Sequence, residues 1–122
     1  MRYLIVLAHG SRREQSNEEI RELTRNIACH SDNTYAATEC AFLEIAQPSI
    51  PDVIDKCIAQ GATSIVALPY FLSDGNHVAT DIPKIFNQKK AQYPDVNMEL
   101  KDYVGKAPEM LSLVVDRALS LN

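Results

Sequence analysis

The chain has 122 residues, 46% of them hydrophobic, and a formal net charge of −4 at pH 7. That length fits one domain, residues 1–122, and a core hiding roughly two-thirds of the unfolded surface without disulfides or a structural metal. The acidic balance, with no basic cluster, excludes general nucleic-acid binding, and no apolar run is long enough to span a bilayer.

Residues 3–8, Tyr-Leu-Ile-Val-Leu-Ala, form a continuous apolar run of strand length. His-Gly-Ser-Arg-Arg follows, which is not a signal cleavage site, so a buried strand is expected rather than a targeting segment. Residues 14–30 switch to helical period, with Ile20, Leu23 and Ile27 on one face. Ser16 and Glu19 have capping-box spacing and predict a regular helix starting there. Residues 34–43 read as a second strand. Ile50, Val53, Ile54, Cys57 and Ile58 then form one helical face, closed by Gly61 at an expected left-handed cap.

Ser64–Pro69 is a third strand, apolar throughout. Residues 78–92 predict a helix with Val78, Ile82, Ile85 and Phe86 inward; Pro83 marks its first turn or kinks it. Residues 96–103 alternate as a fourth strand around Met98 and Leu100. Pro108 opens a last helix with Met110, Leu111, Val114, Val115 and Ala118 facing inward. Cys29, Cys40 and Cys57 are odd in number and lack C-x-x-C spacing, which predicts free thiols in a reducing cytoplasm.

Strands separated by helices imply right-handed crossovers and a three-layer α/β fold with a four-stranded parallel sheet. The first and third strands are apolar on both faces, as central strands must be, while the second and fourth carry polar residues. The order 2-1-3-4, the flavodoxin-like arrangement, satisfies both. Ligands of such sheets bind beyond the carboxyl ends of the strands at the switch point, here between strands 1 and 3.

Each segment leaving those ends brings one residue suited to metals or protons: His9, Glu44 and His77. Gly10 permits a sharp turn and close approach of a ligand. His77 opens a helix, where the dipole favours a neutral, ligating imidazole. The bland alternatives are a loop hydrogen bond for His9, an amide cap for Glu44 and a solvated loop for His77. His30, at a helix end, reads as surface. Arg12 and Arg13 either pair with substrate carboxylates or are solvated, and Ser11 with its neighbouring amides offers an anion site. Two imidazoles and a carboxylate leave a coordination sphere incomplete, as in catalytic rather than structural sites. Such a donor set suits Co, Ni, Fe or zinc.

The stretches Ala8-His9-Gly10-Ser11-Arg12, Phe42-Leu43-Glu44, and Pro69-Tyr70-Phe71-Leu72 with Gly75, His77, Asp81, Ile82 and Pro83 resemble the sirohydrochlorin chelatases, the CbiX-type class II chelatases. The resemblance covers essentially the whole chain. It implies insertion of Co²⁺, Fe²⁺ or Ni²⁺ into sirohydrochlorin, toward cobalamin, siroheme or a nickel tetrapyrrole. It places the metal at His9 and His77, with Glu44 a less secure acidic position, and implies a metal substrate rather than a tightly bound cofactor. It also implies the short, single-domain form that pairs into a homodimer. The segment Tyr103-Val104-Gly105-Lys106-Ala107-Pro108 departs from a Leu-Gly-x-x-Pro pattern of long relatives.

Metal insertion requires delivery of a desolvated cation and removal of two pyrrole protons, and a neutral histidine serves either task. His9 and His77 are expected to hold the metal on one face of the ring, with Glu44 orienting a histidine or passing a proton on. Gly10, Ser11 and Arg12 are expected to meet the substrate's carboxylates, and Tyr70, Phe71 and Leu72 its apolar faces. Lys84 and Lys106 add local positive charge or are simply solvated. Three rivals are open: a non-catalytic metal-delivery or tetrapyrrole-binding protein, a histidine phosphatase, and a flavin module. The phosphatase reading is weakened because Ala8, not Arg, precedes the histidine; the flavin module lacks a phosphate-cradling loop.

Overall fold

The computed structural model describes residues 1–120, so the last two residues of the expected domain lie outside the described part. Strands β1 (Arg2–Ala8), β2 (Ala37–Phe42), β3 (Ser64–Pro69) and β4 (Asn97–Leu100) pair in parallel in the order β2-β1-β3-β4. The register sets Ala8 beside Phe42 and Leu7 beside Pro69, so three strands end level at one edge of the sheet. β1 is buried from Tyr3 to Ala8. That is the burial a central parallel strand needs, since helices must cover both its faces.

One face carries α2 (Ile50–Ala59) and α3 (Ile82–Gln92). Their Ile50, Val53, Ile54, Cys57, Ile82 and Phe86 pack with Tyr3, Ile5, Leu7, Ile65 and Ala67 into the main core. α2 is defined at both ends. Ser49 accepts the Asp52 amide through its hydroxyl, Pro51 occupies the first turn, and Gly61 turns out at φ +103°. Burial pushes the Cys57 thiol up to about 11.

The other face carries α1 (Glu14–Ala28), with Ile20 and Cys40 against Ala8, Phe42 and Ala46. α1 begins at Glu14, two residues before the capping-box start, and no side chain caps it. Asn17, buried inside its first turn, holds both backbone groups of Ser11: Ser11 N–H donates to Asn17 Oδ1 (2.9 Å) and Asn17 Nδ2 to the Ser11 carbonyl (2.8 Å). Leu23 and Ile27 are only half-buried, whereas Thr24 is buried and bonded to the Ile20 carbonyl at 2.7 Å.

Three further expectations are revised. β2 and β4 are shorter than the strands expected over 34–43 and 96–103, and β4 gives way before a 3₁₀ turn, Val104–Lys106. The helix expected over 78–92 is two pieces, a π-helical turn at His77–Asp81 followed by α3. Pro83 has no amide to give and its ring crowds the carbonyl four residues back; the wider turn before it relieves both. Finally, α4 (Glu109–Leu119) is not packed inward. Leu111 is 73% exposed, Val114 56% and Val115 43%, and Ala118 is exposed too. In its own chain α4 rests chiefly on the 3₁₀ turn.

Candidate metal-transfer site

The level strand ends bring His9, Glu44 and His77 together, as the topology requires. One ligating atom from each falls within 4.8 Å of the others. His9 Nε2 lies 2.7 Å from Glu44 Oε1, and the two imidazole rings sit 4.7 Å apart between centroids. All three side chains are partly exposed, with His9 and His77 near two-fifths, so the site is open to an incoming ligand.

Backbone contacts set this convergence. Leu43 N–H donates to the Ala8 carbonyl (2.9 Å) and Glu44 N–H to the His9 carbonyl (3.1 Å), extending the sheet pairing past its edge. Gly10, at φ +96°, has the Glu44 carbonyl where a Cβ would stand. What approaches Gly10 is therefore the neighbouring loop rather than a ligand. Glu44-Ile45-Ala46 then turns sharply: Ala46 N–H donates to the Glu44 carbonyl (2.7 Å) across Ile45 at φ +71°. This is the strained γ-turn, and a β-branched residue there is a true outlier, of the kind found at functional sites.

His77 opens the π-helical turn, and its Nδ1 lies 2.8 Å from Asp81 Oδ2. With Asp81 accepting the Nδ1 proton, His77 presents Nε2 as its lone pair. Asp81 was quoted in the motif without a role; its signal was the His-x-x-x-Asp spacing, which puts both groups within one helical turn. The site thus contains two histidine–carboxylate pairs.

The other expected contact residues divide. Ser11 is bonded within the turn: Asn17 takes its backbone groups, and its hydroxyl oxygen accepts the Arg13 amide at 3.0 Å. Ser11 and Gly10 thus build the loop, with the Ser11 hydroxyl proton left as a donor. Arg12 is exposed, whereas Arg13 turns to Gln15 (2.6 Å) and Ser16. Phe71 packs against the main core, while Tyr70 (42% exposed) and Leu72 (75%) are open to solvent. Ile45, 57% exposed beside Glu44, adds an apolar surface that sequence reasoning did not single out. Lys106 is exposed and pairs with Asp102, and His30 is a surface residue accepting the Asp32 amide.

Fold and site together define a class: a flavodoxin-like α/β protein with an open, incomplete set of donors, of a kind that could hold a metal ion, at its switch point. The sequence profile of the CbiX family matches residues 3–121, and the chain belongs to that family. It is 32% identical over 114 residues to the chloroplastic sirohydrochlorin ferrochelatase of Arabidopsis thaliana, covering 93% of this chain and 50% of that protein. Over 142 aligned residues it is 30% identical to a sirohydrochlorin cobaltochelatase of Methanococcus aeolicus, covering 97% and 98% of the two. The crystal structure of the Bacillus subtilis subspecies spizizenii sirohydrochlorin chelatase SirB with cobalt superposes with a TM-score of 0.84. Identity there is 26%, over 96% of this chain and 49% of that one. The chain therefore spans about half of some relatives and nearly all of others.

Proposed function

We propose that the chain is a chelatase that inserts Co²⁺, Fe²⁺ or Ni²⁺ into sirohydrochlorin, and that it works as a cytoplasmic homodimer. The observation that carries the reading is the convergence of His9, Glu44 and His77 within 4.8 Å. Family membership and relatives named as sirohydrochlorin chelatases supply the substrate. They give the phosphatase and flavin readings no support. No helix among the described residues is long and apolar enough to cross a membrane.

The chemistry follows from charge balance. A divalent cation held by His9, Glu44 and His77 takes the place of the proton between His9 Nε2 and Glu44 Oε1, and that proton leaves to solvent as the metal enters. When the cation passes to the ring nitrogens, two pyrrole protons leave the macrocycle. The His9–Glu44 pair recovers one by re-forming its 2.7 Å bond, and His77 Nε2 accepts the other. One cation out and two protons in leaves the site's charge unchanged. Glu44 is thus both ligand and proton partner, while Asp81 keeps His77 in the accepting tautomer. Three protein ligands hold the metal loosely enough to release it, which a closed four-ligand site would not.

Arg12 meets the carboxylates of the substrate, and Ile45, Tyr70 and Leu72, one or more from each of two loops, meet its apolar rim. The polycarboxylate tolerates an acidic protein because the field at the cleft, not net charge, governs its approach. Mixing the protein with anaerobic sirohydrochlorin and each metal tests the reading by visible spectroscopy. Metallation faster than the spontaneous rate is expected; stoichiometric binding without acceleration would instead identify a delivery protein.

A further inference from the structure

The loop that carries Glu44 is held from several sides. At its base Phe42 N–H donates to the Pro48 carbonyl (2.9 Å), and its first limb, Leu43 and Glu44, is bonded to the end of β1. The far limb, beyond the left-handed Ile45, is anchored from a different element. Arg21 of α1 donates from Nη2 to the Gln47 carbonyl (3.2 Å), 26 residues away along the chain. Its guanidinium carbon lies over the buried Phe42 ring, 5.4 Å from the ring centre.

Arg21 is in turn held on its own helix. Its Nη1 donates to Glu14 Oε1 and, at 3.4 Å, to Glu18; the other oxygen of Glu14 accepts Asn17 Nδ2 (3.2 Å). Asn17 is the buried side chain that takes both backbone groups of Ser11. A continuous run of hydrogen bonds therefore leads from the His9 loop through Asn17, Glu14 and Arg21 to the Glu44 loop. Pairing along the surface of a helix contributes little and needs no carbonyl on another loop. The planar fork of arginine, by contrast, suits a side chain that grips a carboxylate with one nitrogen and a carbonyl with the other.

We propose that Arg21 is a positioning residue for Glu44, seated on Glu14 and holding the Glu44 carboxylate against His9 through the Gln47 carbonyl. This rests on the chelatase reading and deepens it by naming what keeps the carboxylate in place. Between Glu44 and Gln47 the backbone passes through Ile45 at φ +71°, a conformation that persists only where its surroundings over-determine it. Without the guanidinium the far limb relaxes, and Glu44 Oε1 leaves its position 2.7 Å from His9 Nε2. His9 follows β1 directly and His77 is held by Asp81, so the loss falls on Glu44.

Co²⁺ alone, titrated into the full chain and followed by its visible d–d bands, reads the donor set without the tetrapyrrole. Arg21→Met keeps the stem and removes the fork. It is expected to weaken Co²⁺ binding about 10-fold, as loss of a supporting partner does at other metal sites, and to shift the bands toward those of Glu44→Ala. In a Glu44→Ala background Arg21→Met is expected to cost nothing more, because it acts through Glu44. Arg21→Lys, which keeps a donor for the Gln47 carbonyl, is expected to restore part of the affinity. Arg25→Met removes another ion pair of the same helix, to Glu18 at 2.8 Å, and is expected to leave binding unchanged. Unchanged affinity in Arg21→Met, an equal loss in the Glu44→Ala background, or the same loss in Arg25→Met overturns the proposal. A chain that shows all these dependences yet does not accelerate metallation overturns the chelatase reading and leaves Arg21 in its role. Co²⁺ binding unmoved by both His9→Ala and Glu44→Ala overturns both.

Discussion

At the scale of the residue, the site is a set of pairs rather than a set of ligands. Glu44 holds His9 and Asp81 holds His77, at 2.7 and 2.8 Å, and each carboxylate fixes which nitrogen carries a proton. Removing such a partner costs about 10- to 100-fold in metal affinity or activity at well-studied sites. Asp81→Asn is therefore expected to slow metallation by about that factor without lowering the melting temperature, and Asp81→Glu to recover part of it. Wild-type rates for Asp81→Asn would remove Asp81 from the account. His9, Glu44 and His77 were legible in the sequence because each follows a readable strand. Asp81 carried a signal too, its four-residue spacing from His77, although the sequence reading gave it no role of its own. Nothing in the sequence marks Ile45 as left-handed; its strain is imposed by the bonds on either side of it.

At the scale of the element, what sequence patterning could read was decided by whether one chain's own burial dictated the pattern. β3 and the apolar face of α2 match expectation because most of their apolar residues are enclosed in the core. The start of α1 does not, because Asn17 anchors the preceding turn from inside the helix and the capping box goes unused. α4 is expected to face inward, and its apolar stripe is there, but in the single chain Leu111, Val114, Val115 and Ala118 are all exposed. Gly10 is the hinge between loop and chemistry. Gly10→Ala meets the Glu44 carbonyl and places a Cβ at φ +96°, a strain of roughly 1–3 kcal/mol. Lower thermal stability together with lost metallation is expected; a variant matching wild type in both would show that the two loops are not held as described.

α2 and α3 are tied by Asp55, which accepts Lys89 Nζ and the Tyr93 hydroxyl, each at 2.8 Å. The Lys89 ammonium holds the Asp55 carboxyl below its ordinary value against the opposing effect of desolvation, with a lesser contribution from the Tyr93 hydroxyl. A lowered carboxylate stabilises the fold above its unfolded pKa of about 3.9, and the contribution is lost as pH falls through the lowered value. Asp55→Asn should destabilise the protein at pH 7 by no more than about 1 kcal/mol, since Asp55 is 41% exposed. Denaturant melts should show the difference closing as pH drops below about 4. A difference that persists there would mean the effect is packing rather than charge.

At the scale of the whole molecule, the proposed function has an acidic chain of net charge −4 receive a polycarboxylate. Arg12, exposed and three residues on from His9, is the cation proposed to supply the local attraction. Arg12→Glu is expected to raise KM more than it lowers kcat, with the effect shrinking as salt shortens the screening length toward about 8 Å at physiological ionic strength. A KM indifferent to both substitution and salt would place the carboxylates elsewhere. The fold class, the strand order and the edge where the site lies were all legible, because alternating elements and doubly apolar central strands leave few topologies. The substrate was legible only through resemblance, since physics gives an open metal site and no more.

The central claim is that His9 and His77 together carry the metal into the ring. The most direct measurement is the anaerobic rate of sirohydrochlorin metallation for wild type, His9→Ala, His77→Ala and the double variant, with the metal that the wild type accelerates most. Both single variants should fall close to the spontaneous rate, and the double should fall little further, because the two act as one site. Full activity in both single variants would contradict the account.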